Sequence, residues 1–156
     1  MLNALLMFFG AKIAERLHMR VVLGVIGITG PIVVFFSSYA PSYAVYWVMY
    51  LYSFAVINAM TYMTPIHHTW LWFPNNIGLA SGLCVSGYAI SGLIFNNLSL
   101  YLVNPDRISA NPDGSYDEVV YKNVPYMLRV LGCVWAGLVI ISVMLVHPGP
   151  EPDERV

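Results

Sequence analysis

The residues able to do chemistry in this chain are few and widely spaced. His67 and His68 are adjacent, so on a helix their side chains diverge by about 100° and do not share a chelating face. Asp106, Asp113, Asp117 and Glu118 fall in one stretch but lack the D-x-D-x-D-G spacing of a calcium loop. The sequence contains no HExxH, GxSxG or phosphate-binding loop pattern. Cys84 and Cys133 each sit inside an apolar run, which argues against a disulfide framework or a thiolate metal site. No metal, no cofactor and no enzymatic activity are therefore expected.

What remains is polar chemistry of a different kind. In GAKIAERLHMRVVL, Glu15 stands beside Arg16 and near Lys12 and Arg20. A carboxylate there can pair with an arginine in a charge-assisted bond and clamp two neighbouring helices; the plainer reading is a basic anchor at a membrane surface. Asn58, Thr61, Asn96 and Asn97 lie inside otherwise apolar segments, where an amide or hydroxyl seeks a partner or water. Asn58, Thr61 and Asn96 are therefore possible pathway-lining residues. Asn58 is expected near the end of its helix and Asn96 near the opposite face, too far apart for one compact site. Arg129 is a fourth candidate, although a snorkelling role at the membrane interface explains it as well. The segment GLASGLCVSGYAISGLIFNN carries Gly78, Gly82 and Ser86 at i+4, and Gly87 and Ser91 likewise. Such a stripe lets another backbone approach closely and places its helix inside a bundle.

The elements that hold these residues follow from composition. The chain has 156 residues, 58% hydrophobic and only 10% charged, with a net charge of −1. A soluble domain carries roughly 25% charged residues, so a water-soluble globular enzyme is excluded, and the charge gives no footing for nucleic acid. A membrane helix needs about 20 apolar residues. Residues 21–38, 43–64, 78–103 and 125–146 meet that need, with Gly30-Pro31 expected to kink the first and Pro65 to close the second. Pro125 is expected to open the last as its first helical residue, and Pro148, Pro150 and Pro152 to prevent its continuation. Met1–Gly10 is apolar but too short to span, and reads as the second half of a helix, about residues 1–13, whose beginning is missing. The alternative is a short interfacial helix. The expected architecture is an all-α integral membrane bundle over 1–147, with a cytoplasmic tail at 148–156. Lys12, Arg16, Arg20 and Arg155 fall on one side and Arg107 and Lys122 on the other, which makes the first side cytoplasmic.

The order of these features resembles the major facilitator superfamily of transporters. The stretch from Ala11 to Arg20 is similar to that family's G-x-x-x-D-R-x-G-R-R loop between its second and third helices. Ala11 takes the place of the first glycine, Glu15 of the aspartate, and Arg16 and Arg20 of the outer basic residues; His18 and Met19 depart from the pattern. WFPNNIGLASGLCVSGYAISGLIFN resembles the start of the fifth helix in the oxalate/formate antiporter and monocarboxylate porter branch. Trp72, Phe73, Pro74, Gly78, Leu79, Ala80 and Gly82 fit, while Asn75, Asn76 and Ile77 replace its basic residues. The resemblance implies a partial bundle, from the end of the second helix through the sixth. It also implies alternating-access transport of small monocarboxylate or dicarboxylate anions, with the lipid bilayer and a missing C-terminal half as partners. The isolated chain is then expected not to transport. A different expectation is a non-transporting scaffold or assembly subunit, whose small-residue face packs against a partner membrane protein.

Overall fold

A computed structural model describes residues 2–147 of the chain, with the side chains of residues 2–5, Ala14 and Glu15 excepted. The regular structure of the described residues is entirely helical. Helix α1 spans Leu2–Arg16, α2 Met19–Ser37, α3 Tyr43–Trp72, α4 Ile77–Val103 and α5 Glu118–Leu145. The four later helices are long and apolar enough to cross a membrane. Large apolar side chains point outward along them, Leu83 at 65% and Met144 at 75% exposure among others. In water such a surface would aggregate; in lipid it is the solvated face. The chain is a multi-pass helical membrane protein.

Several boundaries differ from those the sequence predicts. Pro65 does not close the second span. The helix runs on through it to Trp72, because a membrane bundle tolerates the one backbone bond that proline removes. Pro125 likewise lies inside α5, which begins at Glu118 with a Glu118–Lys122 ion pair of 3.1 Å supporting its first turns. The connection expected over 65–77 shrinks to Phe73 and a 3₁₀ turn, Pro74–Asn76. The basic stretch is not one loop: α1 continues to Arg16 and only Leu17 and His18 separate it from α2. Ala11, Glu15 and Arg16 are thus helical, and the Glu15 side chain lies outside the described part, as does the tail from residue 148. At 15 residues, or about 22 Å, α1 is longer than the stub expected but still short of a bilayer crossing.

Two helices change their winding. The first six residues after Val21, Val22–Gly27, form a π-helical turn, and α-helix resumes at Thr29. Pro31 explains its place: the ring excludes the Gly27 carbonyl four residues back, and the extra residue of the π turn absorbs the misfit. The disturbance expected at Gly30-Pro31 therefore falls one turn earlier. In α3 a second π turn covers Tyr52–Ile57.

The helices alternate in direction from α2 to α5, so two ends can be named. At the basic end the Arg20 Nε donates to the Val146 carbonyl at 2.6 Å, tying the start of α2 to the end of α5. At the loop end Asn123 Nδ2 donates to the last carbonyl of α4, Val103, at 3.0 Å. The 104–117 connection is a turn-rich loop, as its Pro, Gly, Asn and Asp content predicts. Asn104 brackets Ile108 through two 2.8 Å bonds, and Gly114 takes a φ of +80°.

Close packing centres on three isolated glycines. A Cβ at Gly132 of α5 would stand 2.9 Å from Phe35 Cβ and 3.0 Å from the Phe35 nitrogen and the Pro31 oxygen of α2. A Cβ at Gly10 of α1 would meet the Ala59 carbonyl oxygen of α3, and one at Gly30 would lie 3.1 Å from Ile57 Cγ2. Lipid supplies no hydrophobic force between helices, so such approaches carry much of the association.

Candidate functional site

Asn58 and Thr61 occupy the middle of α3, fourteen and eleven residues before Trp72. Asn58 directly follows the π turn, and Thr61 lies four residues before Pro65. Each interruption frees backbone: Pro65 has no N–H to give to the Thr61 carbonyl. Thr61 Oγ1 turns back to donate to the Ile57 carbonyl at 2.9 Å. Among the described residues the Asn58 amide makes no hydrogen bond, so a group with two donors and an acceptor stands unengaged at mid-helix.

Two clefts open on either side of this pair. The larger, about 320 Å³, lies between α2, α3 and α5; Gly30, Tyr50, Phe54 and Trp135 line it. The smaller, about 240 Å³, lies toward α4 and is lined by Leu23, Tyr62, Pro65, Cys84 and Tyr88. Asn58 and Thr61 belong to both. Tyr62 and Tyr88 meet edge to face at 5.7 Å and close one wall of the smaller cleft. In the larger, Trp135 is braced edge to face by Phe95 at 5.6 Å. An aromatic series runs up α3 toward it: Tyr43, Tyr46, Tyr50 and Phe54 stack in succession, the last two at 5.9 Å and 6°.

The other candidates do not join them. Asn96 is exposed and lines neither cleft. Height does not set it apart from Asn58, contrary to the sequence expectation. With α3 extended to Trp72, Asn58 is central, and the two amides differ in depth by less than about 10 Å. It is the direction of Asn96 around α4 that separates it from Asn58. Arg129 lies toward the loop end, where its Nε donates to the Pro125 carbonyl at 3.2 Å and its guanidinium sits 5.6 Å from the Tyr39 ring centre. That is the geometry of an interfacial arginine. Arg16 and Arg20 are exposed at the basic end, and Ala11 is half-buried on α1.

Within this chain the small-residue stripe is not the side of α4 that packs. Within this chain nothing lies within 4 Å of a Cβ built at Gly78, Gly82 or Gly87. Counting 100° per residue, Gly78, Gly82 and Ser86 occupy one side of α4, while Ser81, Cys84, Tyr88 and Phe95 occupy the opposite one. That second side is the one that packs: Trp70 Nε1 donates to Ser81 Oγ at 2.7 Å, and Phe95 meets Trp135. Ser86 and Ser91 return their hydroxyls to the carbonyls of Leu83 and Tyr88. Of these candidates only Ser91 approaches the packed side by angle; Gly78 and Gly87 lie about 90° to either side of it and are exposed.

His67 and His68 take separate partners, the Trp70 ring at 6.0 Å and Trp72, whose Nε1 donates to His68 Nε2 at 3.2 Å. Among the described residues no three His, Cys, Asp or Glu side chains gather closely enough to hold one metal ion. Comparison of the chain with known protein families, with curated proteins and with solved structures finds no significant match.

Proposed function

We propose that the chain forms part of a secondary transporter for small monocarboxylate or dicarboxylate anions, working by alternating access. The observation that carries this reading is the Asn58–Thr61 pair: uncharged polar groups at mid-helix, between a π turn and a proline, facing two clefts. Substrate sites of such transporters lie near the bilayer midplane on interrupted helices, because interruption frees backbone polar groups where lipid offers none. The resemblance of WFPNNIGLASG and of the Ala11–Arg20 stretch to the major facilitator superfamily supports the carboxylate class. The clefts hold no cation, so the positive partner of a carboxylate belongs to helices outside this chain.

The test is counterflow in vesicles from cells expressing the full product of the gene. At least one labelled carboxylate from a panel of lactate, oxalate and benzoate should accumulate, and Asn58→Leu should abolish accumulation without lowering membrane expression. A product that moves no carboxylate, or moves it unchanged with Asn58→Leu, refutes the proposal. One feature favours a second reading, a non-transporting scaffold: the Gly78–Gly82–Ser86 side of α4 is open to a partner helix. On that reading Gly82→Leu breaks an assembly and Asn58→Leu is silent.

A further inference from the structure

Resting on the transport reading, we infer that the 320 Å³ cleft receives the planar, uncharged aromatic body of the substrate and not its carboxylate. Its volume lies near the lower end of the roughly 300–1,000 Å³ range of small-molecule sites, which suits a single ring with a short substituent. Every residue lining it is uncharged. A carboxylate entering would lose its hydration with no cation to replace it, whereas a ring loses little. The walls are built for a ring. Tyr50 and Phe54 lie parallel at 5.9 Å on α3, and Trp135 closes the cleft from α5. Stacked or edge-on aromatic pairs gain stabilisation beyond that of buried area. Gly30 at the back leaves α2 without a side chain, and its Cβ would already be 3.1 Å from Ile57 Cγ2.

The one strong polar group at the inner end is the Asn58 amide, which is without a partner among the described residues and can both donate to and accept from a ring substituent. Tyr43 and Tyr46 continue the stack toward the loop end, offering a ring a series of faces on its way in. Carboxylate recognition is thereby assigned to another part of the transporter, and the substrate class narrows to aromatic monoacids over small dicarboxylates.

The experiment uses the full 156-residue chain in phosphatidylcholine nanodiscs and saturation-transfer NMR against empty nanodiscs. Benzamide, benzoate and succinate serve as probes. Benzamide and benzoate should bind with dissociation constants within about threefold of each other, and succinate should not bind. Asn58→Leu and Phe54→Leu should each weaken both aromatic probes about tenfold. Phe54 is 55% exposed, so its variant leaves the packing intact even where Asn58→Leu disturbs it. Benzoate binding tenfold tighter than benzamide, aromatic binding insensitive to Phe54→Leu, or no aromatic binding at all overturns the inference. Asn58-dependent succinate binding without aromatic binding overturns it and leaves the transport reading standing. Failed counterflow with intact aromatic binding removes the transport reading alone.

Discussion

Replacing Gly132 by alanine tests the packing of the bundle where α5 comes closest to α2. The new Cβ would stand 2.9 Å from Phe35 Cβ and 3.0 Å from the Phe35 nitrogen and Pro31 oxygen. All three are backbone or Cβ atoms, so no rotamer change relieves them and α5 must move away from α2 by several tenths of an ångström. A further opening of about 240 Å³ lies alongside, lined by Phe36, Cys133 and Ala136. It could accept the outer atoms of a longer side chain but not the Cβ itself, which makes alanine the sharper probe. Overpacking typically costs about 1–3 kcal/mol, and the helix propensity of alanine returns up to about 1 kcal/mol. A net loss of about 1–2 kcal/mol is expected. Gly137 on the same helix, with nothing within 4 Å, is the control, and Gly137→Ala should equal or exceed the parent protein. Equilibrium unfolding in mixed micelles with added SDS, followed by helical circular dichroism, reads both. If Gly132→Ala is as stable as Gly137→Ala, the α2–α5 contact described here is wrong.

Other consequences are open to direct measurement. Thr64 is 2% exposed and its Oγ1 has no partner among the described residues, so Thr64→Val should stabilise the bundle by about 1 kcal/mol in the same unfolding assay. Arg20→Met removes the bond to the Val146 carbonyl and should cost no more than about 1 kcal/mol, since the pair is exposed. Asp113 in the outer loop accepts from the Ser115 hydroxyl at 2.7 Å and from the Ser115 backbone N–H at 3.0 Å, which holds its carboxyl below the usual range. Because the folded pKa is the lower one, the turn is supported above the unfolded pKa and loosens as pH falls through the folded value. Carboxyl NMR should show the depressed titration, and Ser115→Ala should raise it.

The spans were legible in the sequence because length and the scarcity of charge are properties of whole segments. Their ends are not, because proline does not end a helix in a membrane bundle as it does in water. Pro65 and Pro125 each forfeit one backbone bond, and the surrounding helices and apolar medium hold the chain helical regardless. The π turns left a fainter trace: Pro31 marks the first only after the fact, and nothing in YSFAVI marks the second. Glycines show that repetition alone does not reveal which helix faces which. The periodic ones of α4 drew notice because repetition is visible in a sequence, yet within this chain they face open space. Gly10, Gly30 and Gly132 are solitary, and their importance depends on which helix comes opposite. Asn58 and Thr61 stood out as polar residues in apolar surroundings. Tyr50, Phe54 and Trp135 did not, although the i+3 and i+4 spacing of Tyr43, Tyr46, Tyr50 and Phe54 is the signal that could have marked that face.

On the proposed transport function, Asn58 lies on a water-reached pathway in the middle of the membrane. The most direct test is the reaction of Asn58→Cys, in a background with Cys84→Ser and Cys133→Ser, with a membrane-impermeant methanethiosulfonate reagent in membranes of expressing cells. Leu83→Cys, on an outward apolar face, and Ala59→Cys, fully buried, are the references. Labelling is expected at position 58 and none at 59 or 83. A cysteine at 58 as inert as those two would contradict it.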